Sequence, residues 1–112
     1  MKLYGIINCG SVKKAMNFLD SRHIKYEFID LKKQPPHIDK ITSWVKKAGV
    51  DVVLNTKGMT YKKLSLAKEN LTQEQKIQKM SEFPLLIKRP VIEYNENLII
   101  GFDEIHYQNI FG

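Results

Sequence analysis

Cysteine is almost missing from this chain: among 112 residues Cys9 is the only one. An internal disulfide is therefore impossible, which suits a reducing compartment, and a structural zinc site built from several thiolates is excluded. Histidine is scarce too. His23, His37 and His106 stand far apart and in no metal-ligand spacing, so surface or half-buried polar roles are expected and no metal site is. Nor is there a long apolar run. None approaches the roughly 20 residues that cross a bilayer, which rules out a transmembrane helix. The opening MKLYGIINCG has one lysine and only a short apolar stretch, too little for a secretory signal, and a cytoplasmic protein is expected.

What is present is the material of one ordinary globular domain. With 43% hydrophobic and 27% charged residues, the chain can bury one modest core but not two, so a single domain over residues 1–112 is expected. The net charge of +6 favours anionic partners, among them phosphates, nucleic acid and acidic thiols. The lysines come in scattered pairs (Lys13 and Lys14, Lys32 and Lys33, Lys46 and Lys47, Lys62 and Lys63), mostly on polar helix faces, where a solvated surface explains them. No basic run alternates with aromatics as a nucleic-acid groove requires, so nucleic-acid binding is not expected.

KLYGII reads as a short strand ending just before Cys9. From Ser11 the apolar residues Val12, Ala15, Phe18 and Leu19 recur at helical spacing, which predicts a helix to about Arg22. KYEFIDL alternates as a second strand, completing a βαβ unit. The prolines of KKQPP then stop regular structure. Ile38, Ile41, Val45 and Ala48 mark a helix closed by Gly49, and VDVVLNTKG is an apolar stretch running into a loop. YKKLSLAKENL and TQEQKIQKMSEF predict two short helices, the second opened by a capping box of Thr72 and Gln75. PLLIKRPVIEY and LIIGF, joined by NEN, predict an antiparallel hairpin, and DEIHYQNIF a final helix opened by Asp103.

The order β-α-β, helical insertion (about residues 37–82), β-β-α matches the α/β thioredoxin fold, with a central mixed sheet. In that fold the second half begins after a cis-proline facing the N-terminal cysteine. Pro90 stands there, and only an X–Pro bond takes the cis form at low cost.

Cys9 then gains a meaning. At the first turn of a helix it would face the unpaired N–H groups of Ser11 and Val12 and the positive end of the helix dipole, both of which favour thiolate. Cysteine also sits in cores with no chemistry at all; its place before glycine, hydroxyl and helix is what argues for reactivity. Ser11 is a candidate hydrogen-bond donor to the sulfur or a plain first-turn cap, and Asn8 a candidate brace for the loop. The fourth position of a Cys-x-x-Cys pair is taken by Val12, so any disulfide formed by Cys9 must be resolved by an outside thiol.

Four segments resemble the arsenate reductase-like family (ArsC-type reductases, Spx-type regulators and YffB-type proteins): YGIINCGSVKKAMNFL, DLKKQPP, LNTKGMTYKKL and PLLIKRPVI. The ending IIGFDEIHYQNIF most resembles the YffB-type branch. The resemblance implies that Cys9 is the nucleophile and that Arg89, before the cis-proline, anchors an oxyanion or carboxylate. Lys57 takes the place of a middle arginine, keeping charge but losing the bidentate fork. With Asn55, Thr56 and Gly58 it forms a loop before a helix, where an anion could meet backbone amides. A third arginine is replaced by Gly101 and Phe102, which argues against efficient arsenate reduction. Phe102 is expected chiefly to fill the core.

Two functions follow. One is a monomeric, cytoplasmic thiol-disulfide reductase acting on disulfide or oxyanion substrates. It would hold no bound cofactor, use glutathione as co-substrate, and have glutaredoxin as a possible resolving partner. The other is an Spx-type regulator that binds RNA polymerase, although without the second cysteine of that branch's redox switch.

Overall fold

The computed structural model describes residues 1–112. In chain order the elements are β1 (Lys2–Gly5), α1 (Gly10–Ser21), β2 (Glu27–Asp30), α2 (Ile38–Ala48), α3 (Val50–Val53) and α4 (Met59–Lys63). They continue with α5 (Gln73–Glu82), β3 (Val91–Tyr94), β4 (Asn97–Ile100) and α6 (Glu104–Phe111). The chain divides into two compact units: Met1–Ile29 with Arg89–Gly112, and Asp30–Lys88.

The first unit carries a four-stranded mixed sheet in the order β2-β1-β3-β4, the arrangement of a thioredoxin-like fold. β3 is antiparallel to both neighbours. Leu3 sits opposite Ile92, and Ile92 opposite Ile99, so one register line sends three apolar side chains to the same face. That face is covered by Val12, Ala15, Phe18 and Leu19 of α1 and by Tyr107 of α6. The spacing that predicts helix α1 is therefore also what buries it. Asp103 caps α6 by accepting from the N–H groups of Ile105 and His106.

Aromatic rings extend this core. Tyr107 meets Phe18, Phe102 and Phe111 edge to face at centroid distances of 5.5, 4.8 and 5.7 Å. Its buried hydroxyl donates to the Gly101 carbonyl at 2.7 Å. Tyr107→Phe keeps the rings but leaves that carbonyl without its partner, and should cost about 1–2 kcal/mol in a denaturant titration. A change within error would mean the bond adds nothing net.

In the second unit α2 runs from His37, whose Nδ1 accepts from the Asp39 N–H at 3.1 Å, to Gly49 at φ 93°, a conformation that suits glycine. α2 packs against α3 and α5, and buries Ile41, Trp44 and Val45. The Thr72–Gln75 capping box opens α5 as expected.

Four stretches depart from the sequence reading. In YKKLSLAKENL the helix α4 stops at Lys63, Ser65 takes the left-handed conformation at φ 53°, and only a 3-10 turn over Leu66–Lys68 follows. The first strand stops at Gly5, and Ile7 lies in a turn, 63% exposed. VDVVLN forms the short helix α3 and a single bridge from Leu54 to Ile87. In PLLIKRPVIEY only Val91–Tyr94 is strand, because Pro84 starts a 3-10 turn and Pro90 has no N–H to give a ladder.

Candidate active site

Cys9 is the N-cap of α1, with φ −94° and ψ 127°. Its carbonyl accepts from the Lys13 N–H at 3.0 Å, and its own N–H donates to Ile6 O at 3.3 Å, closing the turn that contains Asn8. Two neighbours hold this junction. Val12 is fully buried, and a Cβ on Gly5 would lie 2.7 Å from Val12 Cγ2. Only glycine at position 5 lets the strand pass so close to the first turn of the helix. The reading of the sequence overlooked Gly5; a glycine inside an apolar strand pattern is the signal that could have found it.

The Cys9 thiol is half-buried and free. Burial, the largest single influence, pushes its pKa up. The Val12 amide, the Arg89 guanidinium through a hydrogen bond and its charge, and the Ser11 amide together outweigh burial, so the pKa lies below that of an ordinary thiol. The Val12 and Ser11 amides favour the anion through hydrogen bonds to the sulfur and as the positive end of the helix.

Arg89 arrives from the far end of the chain. It precedes the cis Arg89–Pro90 bond, the one cis peptide of the protein, and Val91 begins β3 directly after it. The Pro90 carbonyl accepts from the Gly101 N–H at 2.8 Å, which ties the cis-proline loop to the end of β4. Because β3 lies beside β1 in the sheet, Arg89 and Cys9 emerge at adjacent strand ends. The first unit thus brings together Cys9, the backbone of Ser11, Arg89 and Pro90. The Ser11 and Asn8 side chains are exposed.

Lys57 belongs to the second unit, exposed in the loop that precedes α4. Gly58 closes that loop, its N–H donating to Asn55 O at 3.3 Å. Phe102 is half-buried and packed on Tyr107 and Phe18, a core role. His23, His37 and His106 are all exposed, and no three His, Cys, Asp or Glu side chains are grouped to hold a metal ion. No helix is long and apolar enough to cross a membrane.

Comparison with known proteins agrees with this geometry. The ArsC family model matches residues 4–110. A solved structure of a YFFB protein superposes with a TM-score of 0.93 at 34% identity, covering 99% of this chain and 98% of that one. An uncharacterized protein of Haemophilus influenzae is 33% identical over 98% of this chain and 97% of its own length. The global transcriptional regulator Spx 1 of Lactococcus lactis subsp. lactis is 29% identical over 91% of this chain and 81% of its own. A thiol at a helix N-terminus beside an arginine and a cis-proline, within a match that runs nearly end to end, makes this chain a member of the ArsC family, similar to its YffB-type branch.

Proposed function

We propose that the protein is a glutathione-dependent thiol-disulfide reductase that works through one cysteine. The observation that carries this reading is the place of the free Cys9 thiol, the N-cap of α1, where the Val12 and Ser11 amides and the Arg89 guanidinium favour its thiolate against the cost of burial. A thiolate at neutral pH is the attacking species in disulfide exchange. Cys9 Sγ attacks one sulfur of a disulfide, the S–S bond breaks, and the other sulfur leaves as thiolate. A glutathione thiolate then attacks the substrate-derived sulfur of the mixed disulfide, returning Cys9 as thiolate and carrying that sulfur away as a mixed disulfide with glutathione, which is glutathione disulfide where the sulfur held on Cys9 came from glutathione. A glutaredoxin could take the same role as glutathione. In this reading Arg89 holds the Cys9 anion and anchors a substrate carboxylate.

Arsenate is the weaker substrate in this reading. Gly101 and Phe102 supply no cation, and lysine at position 57 cannot make the two-pronged contact of a guanidinium. The likeness to Spx 1 favours one alternative, a regulator that binds RNA polymerase. Such a protein would need no activated thiol.

Alkylation of Cys9 by iodoacetamide across pH 4–10 separates the two. The reductase reading expects a midpoint below the ordinary thiol value of about 8.5. Arg89→Leu should move the midpoint up and slow alkylation at neutral pH several-fold, with Arg89→Lys between them because it keeps the charge. A midpoint at or above the ordinary value would overturn the reductase and favour the regulator. The same shift links to stability. Cys9 is lowered in the folded state, so between its folded and unfolded pKa values the unfolded chain binds more protons and stability rises with pH. That contribution is complete above the unfolded value and lost as pH falls through the folded one.

A further inference from the structure

Of the six glycines in the chain, five answer to their own backbone or to a close neighbour. Gly49, Gly101 and Gly112 have φ of 93°, 82° and 84°, where a side chain is strained. A Cβ on Gly5 or Gly58 would come within 2.7 Å of Val12 Cγ2 or Asn55 Nδ2. Gly10 is the exception. It opens α1, its φ is not positive, and a Cβ placed on it meets nothing within 4 Å. Glycine in a helix is unfavourable relative to alanine, because its backbone gives up more freedom on folding. The folded chain by itself therefore favours alanine at position 10, and the use of glycine lies outside the fold.

Its place says where to look. Gly10 is exposed and bonded directly to Cys9. The other flanks of the sulfur are taken. The Ser11 and Val12 amides meet it from the helix and Arg89 stands beside it. Inward, Cys9 packs on the buried cluster that holds Leu3, Val12, Phe18 and Tyr107. In disulfide exchange the attacked sulfur closes to bond distance, about 2 Å, with its own chain still attached. That chain must run past the residues next to Cys9. Over Gly10 nothing of this protein stands in its way.

We propose that Gly10 is a specificity-determining residue: the space left by its missing side chain admits the peptide chain that carries the attacked sulfur. The inference rests on Cys9 being a thiol-disulfide reductase and adds its substrate class, disulfides borne on peptide chains, such as an S-glutathionylated cysteine, as well as small alkyl disulfides. The Cys9 thiolate attacks one sulfur, the S–S bond breaks and the other sulfur leaves as thiolate. The attacked half stays on Cys9, lying over Gly10, until a glutathione thiolate removes it.

Gly10→Ala and Gly10→Val in the full-length protein test this against the parent with three reagents: iodoacetamide, 2-hydroxyethyl disulfide, and a peptide S-glutathionylated at a central cysteine. Formation of the mixed disulfide on Cys9, followed by mass spectrometry without added glutathione, reads the first step alone. Alanine should slow the peptide reaction about tenfold and valine more, while both small reagents stay within about twofold of the parent. The pH midpoint of alkylation should not move. Gly10→Ala should also raise the melting temperature by about 2–5 °C, so that the more stable variant is the slower one on the peptide. An equal loss with all three reagents would place the effect on the thiolate and overturn the proposal. An undiminished rate on the peptide, or a lower melting temperature in the alanine variant, would overturn it too, and in each case the reductase stands. If the parent forms no mixed disulfide with either disulfide, the reductase reading fails and the role of Gly10 with it.

Discussion

Cys9→Ser should abolish disulfide exchange, by at least about a thousandfold, while leaving the fold intact. The reason is chemical rather than structural. A serine hydroxyl in the same place stays protonated at neutral pH, because the Ser11 and Val12 amides and Arg89 can favour an anion but cannot bring an alcohol into that range. No second thiol exists in the chain to take over. Stability should change by less than about 1 kcal/mol, since the Cys9 sulfur is only half-buried and a serine oxygen can accept from the same first-turn N–H groups. Reduction of a glutathionylated peptide, followed alongside thermal unfolding by circular dichroism, reads both quantities together. Residual turnover within tenfold of the parent would mean that Cys9 is not the nucleophile.

Trp44→Ala should give the largest loss of stability, about 3–5 kcal/mol. Trp44 is the bulkiest fully enclosed side chain, 1% exposed on α2 with Ile41 and Val45 on the same face. Truncation to alanine removes the indole's transfer free energy and leaves a void that a helix fixed by the His37 cap and the Gly49 stop cannot easily collapse into. It is also the only tryptophan, so the urea titration must be followed by circular dichroism rather than fluorescence. A cost below about 1 kcal/mol would show that the second unit tolerates the cavity. Trp44 lies in the unit that does not hold Cys9. At temperatures where the variant remains folded, its alkylation midpoint should match the parent's.

These two residues differ in how visible they are before folding. Cys9 is marked by its neighbours: an apolar run before it, glycine and serine after it, and helical periodicity from Val12 onward. Trp44 carries no such mark. Its helix is evident from Ile38, Ile41, Val45 and Ala48, yet nothing in that spacing says that the indole, rather than a neighbour, fills the centre.

The same division runs through the whole chain. Local physics was legible in the residue order: the limits of α1 and α2, the Thr72 capping box and the Asp103 cap each depend on groups within a few positions of one another. Pro90 was marked as cis by a fold-level argument joined to the chemistry of proline. Arg89 was singled out by family resemblance, and its effect on Cys9 by folding alone. The two are distant in sequence and meet because β3 pairs with β1. Likewise the strand expected across PLLIKRP gave way to a 3-10 turn and one isolated bridge, since apolar content alone does not say where a ladder can be paired. The clearance at Gly5 and the exposure of Ile7 arise from how the first strand meets its helix. A thiol at a helix N-terminus was therefore foreseeable from a short segment, whereas its charge state and its surroundings are properties of contacts that exist only once the sheet has formed.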